Sequence, residues 1–273
     1  MVAEPRRAAV LGSPVAHSLS PVLHRAGYRS LGLTSWSYAA HELRADQLAP
    51  WVTGLDATWR GLSLTMPLKE AAFSVATTVT ETARVTGAVN TLVRRRDGGW
   101  DAHNTDVRGV EAALAEGHHD GTATLLGGGA TARSAVLALG SLGVERIRLA
   151  VRGEVRPETL RLAVHAGVAV EVVPLASWGS SYPGGLVVST LPPAAGAAAA
   201  GALGTQRRRG TLMDVVYADW PTPLATAAAA AGLHVVSGLD MLVYQAAEQF
   251  RLFTGEQPPV QAMYAAGRQA LGR

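Results

Sequence analysis

The sequence predicts an α/β protein of two domains, the first of them discontinuous, and three observations carry that prediction. Strand-like and helix-like stretches alternate along most of the 273 residues, the pattern of sheets covered by helices. A glycine-rich turn, Gly127-Gly128-Gly129, stands between a buried-type strand and a helix, which opens a βαβ unit. The chain after the last strand, residues 237–273, reads as helix alone. That is too little to form a core by itself, so it is expected to pack back on the first part. The first domain is then residues 1–104 plus 237–273, and the second is residues 105–236.

Taken in order, Ala8 to Leu11 is a strand that ends at Gly12-Ser13-Pro14. Ser20 caps a helix with Pro21 at its first position, running to about Leu31. Ser18 and Ser20 bring two hydroxyls to that helix start, so Ser18 reads equally as a second cap or as an anion contact. Trp36 to Glu42 is a strand, Ala45 to Leu55 a helix, and Arg60 to Leu64 a short strand leading into Thr65. Pro67 opens a helix and puts Lys69 in the first turn after a strand's carboxyl end. Residues 71–85 are helical with a break at 77–80, and 87–93 with 99–103 form a hairpin around Arg96-Asp97-Gly98. Asn104-Thr105-Asp106 precedes a helix from Val107 to about Glu116.

The second domain follows with a strand at 122–126, the glycine turn, a helix at 133–142 and a strand at 146–151. A helix at 157–166 and strands at 169–173, 186–189 and 211–216 come next. Residues 194–202 are alanine-rich and of low complexity, whereas 225–231 has helix propensity behind Pro223. A strand at 234–236 closes the set, and helices run from Gly238 to about Thr254 and onward from Pro259.

Composition excludes several classes. Cysteine is absent, which removes disulfides, thiolate metal sites and thiol nucleophiles. Residues 1–7 hold a basic pair but no apolar leader behind it, and no run of apolar residues is long enough to span a bilayer. A cytoplasmic protein is expected. Net charge is only +3, and Arg94-Arg95-Arg96 and Arg207-Arg208-Arg209 are not interleaved with aromatics, so no nucleic acid is expected as partner.

The constellations that carry chemistry begin with the turn. Gly127-x-Gly129-x-x-Ala132 inside a βαβ unit is a dinucleotide fingerprint, in which small residues let a pyrophosphate approach the helix N-terminus. This makes the second domain Rossmann-type, with a parallel sheet. At the end of its second strand the residues are Val151-Arg152-Gly153, with Arg156 one turn on and no acid at the terminus. A guanidinium matches a 2′-phosphate, which favours NADP over NAD. Glu154 and the arginine bias of the chain leave two ordinary surface arginines as the other reading.

The chain has 23 Arg and a single Lys, Lys69. A lysine can exchange a proton where an arginine cannot. Lys69 and Asp106 both follow strand-like runs and precede helices. Such a pair either passes a proton to and from a reacting oxygen or is a surface salt bridge, and sequence spacing does not separate the two.

Seven segments in order give the chain a resemblance to the shikimate dehydrogenase family from end to end. They are Gly12-Ser13-Pro14 with His17 to Pro21, Leu64 to Lys69, Gly87 to Thr91, Asn104-Thr105-Asp106 with Gly109, Gly127 to Arg133, Asp214 to Tyr217 with Thr222-Pro223-Leu224, and Gly238 to Ala246. The resemblance implies reversible, metal-free reduction of 3-dehydroshikimate to shikimate with NADPH, in aromatic amino-acid biosynthesis, by a monomer or homodimer. It implies Ser18 and Ser20, with Tyr217 nearby, at the substrate carboxylate, and Thr65, Asn90, Asp106 and Gln245 at the ring hydroxyls. Lys69 would be the acid/base with Asp106 its partner. Gly127, Gly128, Gly129, Ala130 and Thr131 would hold the pyrophosphate, and Arg152 and Arg156 the 2′-phosphate. Val215, Gly238 and Met241 would lie near the nicotinamide, with Glu81 at a further cofactor-side position.

Two departures stand out. The family's NADP strand end usually reads Asn-Arg-Thr, and Val151 and Gly153 replace both hydrogen-bonding neighbours of Arg152; Ala130 stands where a glycine is frequent. Quinate or an aminated shikimate as substrate with NAD, or a catalytically silent cofactor-binding regulator, are the competing expectations.

Overall fold

The structure is a computed structural model that describes residues 4–117, 120–180, 182, 184–204 and 206–273. Residues 1–3 of the basic opening segment lie outside the described residues. The chain forms two compact units, Met1–Asp106 with Leu242–Arg273, and Val107–Met241. The divisions fall at 106 and 241, against 104 and 236 expected from the sequence, so Asp106 belongs with the first unit.

The first unit is built on strands β1 (Arg6–Gly12), β2 (Trp36–Glu42), β3 (Trp59–Leu64), β4 (Thr78–Val79), β5 (Thr91–Arg94) and β6 (Trp100–His103). Their order in the sheet is β2-β1-β3-β5-β6-β4. β1 runs parallel to both β2 and β3, whereas the β5–β6 hairpin is antiparallel and β5 is antiparallel to β3. Its helices include α1 (Ser20–Ser30), α2 (Leu48–Thr53), α3 (Leu68–Ala71) and α4 (Glu81–Thr86). The expected helix at 45–55 is a 3-10 turn over Ala45–Gln47 followed by the shorter α2. The expected helix at 71–85 starts earlier, at Leu68, and its break is the short strand β4 on the sheet edge beside β6. One face of the sheet packs Leu11, Leu48, Leu62, Leu64 and Leu92 into an aliphatic core, each side chain worth about 1.5–3 kcal/mol when fully buried.

The other face is aromatic and polar. The imidazole of His24 on α1 stacks on Tyr38 of β2, ring centroids 4.2 Å apart and 12° from parallel. It lies close to Phe250 and Phe253 as well. Those two phenylalanines sit on the long helix near the C-terminus, Gly238–Thr254, and the last helix, Val260–Ala270, packs against α1. The small residues opposite make the approach possible. A Cβ at Gly61 would lie 2.1 Å from the ring of Phe253, and one at Gly27 would lie 2.7 Å from that of Phe250.

The second unit opens with α5 (Asp106–Ala113), whose first residue belongs to the first unit. Its strands β7 (Thr122–Leu126), β8 (Arg146–Val151), β9 (Ala169–Pro174), β10 (Gly185–Ser189), β11 (Gly210–Asp214) and β12 (His234–Ser237) are all parallel. Their order, β12-β11-β10-β7-β8-β9, reverses direction beside β7, the doubly wound arrangement of dinucleotide folds. Helices α6 (Ala130–Ser141), α7 (Pro157–His165), α8 (Pro193–Ala200) and α9 (Pro223–Ala230) connect them. α6 begins three residues before the expected 133 because the glycine turn feeds straight into it. β11 ends at Asp214, not 216. α8 occupies most of the alanine-rich, low-complexity stretch and begins at Pro193. The helices that close the chain are α10 (Gly238–Thr254) and α11 (Val260–Ala270). Among the described residues no helix is long and apolar enough to cross a membrane.

Candidate active site

In the first unit, sheet topology gathers the candidate residues at one edge. β1 and β3 run parallel as neighbours, so the segments that follow them emerge together. Ser13 N–H donates to the Met66 carbonyl at 2.9 Å and Thr65 N–H to the Leu11 carbonyl at 2.9 Å. Gly12 is needed for this approach, since a Cβ there would lie 2.3 Å from the Thr65 methyl. β5 is antiparallel to β3, so it starts where β3 ends; Leu64 N–H donates to the Asn90 carbonyl at 2.7 Å. Val89 N–H donates to the Lys69 carbonyl at 2.8 Å, and Asn90 N–H to the His103 carbonyl at 3.1 Å. Lys69, Asn90 and Asp106 are thereby brought to one place by strand ends alone, which is the edge where ligands bind in such sheets.

The side chains complete a compact polar cluster. Lys69 Nζ donates to Asp106 Oδ2 at 2.6 Å, with only 14% and 8% of the two side chains exposed. Asn90 Nδ2 donates to Asp106 Oδ1 at 2.8 Å and to Thr105 Oγ1 at 3.0 Å. Asn90 Oδ1 accepts from Thr105 N–H at 2.8 Å and from the Thr91 hydroxyl at 2.8 Å. Asp106 N–H is held by Asn104 Oδ1 at 3.0 Å, which fixes the start of α5. Gln245 on α10 points Oε1 toward Asn90 Nδ2 at 3.4 Å while its own amide donates to the Leu242 carbonyl at 3.1 Å. A surface salt bridge is exposed and weak, whereas this pair is mostly buried and shares the carboxylate with a second donor.

The serines behave differently from expectation. α1 starts at Ser20 with Leu19 as its cap residue, and Ser20 makes no capping bond. The hydroxyl of Ser18 instead accepts the Ser20 N–H at 3.3 Å, and Ser20 is buried. The capping role assigned to Ser20 is thus corrected: the chain enters the helix one residue early, and the oxygen that meets the free N–H is the one two residues before it. Glu81 lies in the first turn of α4, largely exposed, in an ion pair with Arg84, away from the Lys69 cluster's bonds.

The second unit carries the other candidate residues. Gly127 has φ of +107°, and a Cβ there would lie 2.5 Å from Thr190 Oγ1, so both conformation and space call for glycine. A Cβ at Gly129 would meet nothing within 4 Å, leaving open space before α6. Gly129 is the cap residue of α6 and provides no side-chain acceptor, so the N–H groups of the first turn, which includes Ala130 and Thr131, have no capping oxygen from it. Arg152 follows β8 directly and lines a cavity of about 660 Å³ with Leu175, Pro192, Ala195 and Ala198. Arg156 is the cap residue of α7. Val215 and Gly238 meet closely, because a Cβ on Gly238 would lie 2.1 Å from the Val215 carbonyl oxygen. Met241 is buried one turn further along α10, and Tyr217 is half-buried after β11. A small-residue turn at a helix N-terminus and an alanine-walled cavity that Arg152 also lines fit a dinucleotide with a phosphorylated ribose.

Comparison with known proteins bears on what such a pair of sites serves. A curated relative from Anaeromyxobacter sp. (strain Fw109-5), named shikimate dehydrogenase (NADP(+)), is 38% identical over 281 residues, covering 97% of this chain and 96% of its own. The chain belongs to the shikimate dehydrogenase family. Residues 10–92 match the family description "Shikimate dehydrogenase substrate binding domain", and residues 238–266 match "Shikimate 5'-dehydrogenase C-terminal domain". The solved structure of Mycobacterium tuberculosis shikimate dehydrogenase is 42% identical, with a TM-score of 0.86 over 97% of this chain and 100% of that one. Shikimate 5-dehydrogenase from Thermus thermophilus, solved in complex with NADP(H) and shikimate, is 35% identical, with a TM-score of 0.82 over 97% and 100%.

Within this family frame, the sequence reading missed part of the polar cluster. Thr105 and Thr91 hold the Asn90 amide, and Gln249 reaches Thr91 Oγ1 at 2.9 Å. A signal for Gln249 was present, since it stands four residues after Gln245 on α10 and so on the same face.

Proposed function

We propose that this protein catalyses the reversible, NADP-dependent reduction of 3-dehydroshikimate to shikimate, with Lys69 as acid/base and Asp106 as its partner. The observation that carries the chemistry is the buried 2.6 Å contact between Lys69 Nζ and Asp106 Oδ2. A carbonyl reduced to an alcohol needs a proton donor at its oxygen, and a positioned ammonium serves. The bound cofactor supplies the hydride to the carbonyl carbon. Lys69 delivers the proton to the developing alkoxide and takes it back in the oxidation direction. Asp106 holds the ammonium in place and balances its charge.

The remaining residues sort by chemistry. The hydroxyls of Ser18 and Ser20, with Tyr217, are assigned to the substrate carboxylate. Thr65, Asn90, Asp106 and Gln245 offer hydroxyl, amide and carboxylate groups to the ring hydroxyls. Buried groups of this kind penalise an analogue that lacks a hydroxyl, because they would be left unpaired. Gly127, Gly128, Gly129, Ala130 and Thr131 are assigned to the pyrophosphate and Arg152 and Arg156 to the 2′-phosphate, with Val215, Gly238 and Met241 near the nicotinamide. Glu81 keeps only a cofactor-side assignment, weakened by its surface pairing with Arg84. The substrate domain is the first unit and the cofactor domain the second. The partners are this substrate and cofactor, without nucleic acid or membrane.

The test is turnover of purified protein with shikimate and quinate, each with NADP and with NAD. Preference for shikimate with NADP is expected. Preference for quinate with NAD would replace this reading, and tight NADPH binding with no turnover of either acid would favour a silent cofactor-binding protein.

A further inference from the structure

A hydrogen-bonded chain runs from the cluster into the core through Thr91, Gln249, Ser63 and Tyr38, none of which is part of the chemistry assigned above. Tyr38 O–H donates to Ser63 Oγ at 2.6 Å, and Ser63 O–H donates to Gln249 Oε1 at 2.7 Å. Gln249 Nε2 donates to Thr91 Oγ1 at 2.9 Å and to the Asn90 carbonyl at 3.2 Å. Thr91 O–H donates to Asn90 Oδ1, and Asn90 Nδ2 donates to Asp106 Oδ1, the carboxylate that holds Lys69. Every side chain from Tyr38 to Asn90 in this series is 3% exposed or less. Strand register builds it: Ser63 of β3 lies directly opposite Thr91 of β5, and Gln249 bridges that cross-strand pair from α10.

Two backbone groups set the direction of the two amides. The backbone N–H of Thr105 can only donate, and it faces Asn90 at 2.8 Å, so the atom there must be the amide oxygen. The Asn90 backbone carbonyl can only accept, so the atom of Gln249 beside it must be nitrogen. With both amides fixed, the Thr91 hydroxyl accepts from Gln249 and gives its hydrogen to Asn90 Oδ1 at 2.8 Å, the nearer of the two acceptors it faces, with Thr105 Oγ1 at 3.4 Å. Gln249 Oε1 must accept from Ser63, whose own oxygen then accepts from Tyr38. The sum of these constraints is that Asn90 presents N–H, never C=O, to Asp106. That donor occupies Oδ1 and leaves Oδ2 for Lys69.

We propose that Gln249 is a positioning residue for the reaction, and that the chain Tyr38–Ser63–Gln249–Thr91 locks the Asn90 amide so that Asp106 meets Lys69 in one geometry. This rests on the acid/base reading of Lys69 and Asp106. Gln249 touches neither reacting group. Both ends of its amide are taken by protein partners, and its effect passes through Asn90. The influence should fade along the chain, because the two backbone groups that set its polarity lie at the Asn90 end and Tyr38 at the far end.

Gln249→Met keeps the length of the side chain and removes both of its hydrogen-bonding ends. The variant is expected to lose about 10-fold or more in kcat, as small misplacement of catalytic groups does, while KM for shikimate changes less than about 3-fold by the same reasoning. Tyr38→Phe should lower thermal stability yet leave kcat within about 2-fold, since the donor it removes stands at the far end of the chain from Asp106; its hydroxyl also bonds Ser20, so any effect on catalysis is expected in KM for shikimate. A second readout is the exchange of the Asn90 side-chain amide protons by NMR, which should be slow in the parent protein and in Tyr38→Phe, and fast in Gln249→Met. If Gln249→Met does not fold, Thr91→Val is read in its place, with the same kcat loss and amide exchange expected. A folded Gln249→Met with parental kcat and a slow Asn90 amide overturns the proposal, as does a kcat loss in Tyr38→Phe equal to that in Gln249→Met. Lys69→Ala measured alongside separates the two readings. If it retains turnover, the acid/base assignment fails. If it loses turnover while Gln249→Met does not, only the positioning role fails.

Discussion

Asp106→Asn is a demanding perturbation because asparagine has the shape of aspartate but only one acceptor. Both oxygens of Asp106 accept from donors: Oδ2 from Lys69 Nζ at 2.6 Å and Oδ1 from Asn90 Nδ2 at 2.8 Å. Asn90 cannot turn over to help, since its Oδ1 is held by the Thr105 N–H. Whichever way the new amide is placed, its NH2 faces another donor. One charge-assisted hydrogen bond is lost and one donor is left unsatisfied, each about 1.5–3 kcal/mol in a buried setting. Lys69 keeps 14% exposure, so water recovers part of this, and about 2–4 kcal/mol is the expected net cost. At about 2–4 °C per kcal/mol, Tm should fall by roughly 5–15 °C. Asp106→Ala removes the clash and admits water, so it should destabilise no more than the isosteric change does. Thermal unfolding followed by circular dichroism measures both variants, and reduction of NADP by shikimate, read at the nicotinamide absorbance, measures turnover, which should fall by about 10² or more in each. An Asp106→Asn protein with parental Tm and turnover would refute the two-donor geometry.

Further outcomes follow from other parts of the molecule. Arg152→Ala should raise KM for NADP about 10-fold or more and leave KM for NAD nearly unchanged, because the lost guanidinium matches only the 2′-phosphate; titration of cofactor fluorescence checks it. Gly61→Ala puts a Cβ 2.1 Å from the Phe253 ring and 2.5 Å from its Cγ, near the root of the side chain, so the ring cannot swing clear. A loss of about 1–3 kcal/mol is expected from overpacking, visible in chemical denaturation. Burial pushes the His24 imidazole down to about 3 from 6.5, and its interaction with the Gln249 side chain offsets this only in part. Below pH 6.5 the unfolded chain binds a proton that the folded one refuses. Stability should therefore fall as pH drops from 6.5 toward 3, by about 2 kcal/mol at pH 5. His24→Leu should flatten that slope.

The sequence made the second unit legible because its signals are local. The glycine turn, the flanking strands and Arg152 lie within one βαβ unit, and each requirement acts over a few residues. Lys69 was legible for a similar reason, since Pro67 fixes a helix start just after β3. Its pairing with Asp106 was named from the resemblance and from their like settings, but the distance was not legible, because the two stand 37 positions apart with β5 and β6 between them, and only strand pairing brings the ends together. The core chain was hidden for the same reason: Ser63 and Thr91 become neighbours through antiparallel register, and Gln249 joins them from a helix far along the chain. α8 was overlooked because eight residues of alanine, glycine and proline show no apolar face to read, even though Pro193 marks its first turn. Ser20 looked like a cap by type and spacing, but the choice between adjacent caps depends on how the preceding loop enters, which propensity does not set.

The central claim is that Lys69 moves a proton and does not merely supply charge. Steady-state turnover of Lys69→Arg with shikimate and NADP tests this most directly, because the substitution keeps the positive charge beside Asp106 and removes the ready exchange of a proton. The account predicts a kcat lower by about 10² or more with KM for shikimate little changed. A Lys69→Arg enzyme with near-parental kcat would contradict it and leave charge alone as the role of this residue.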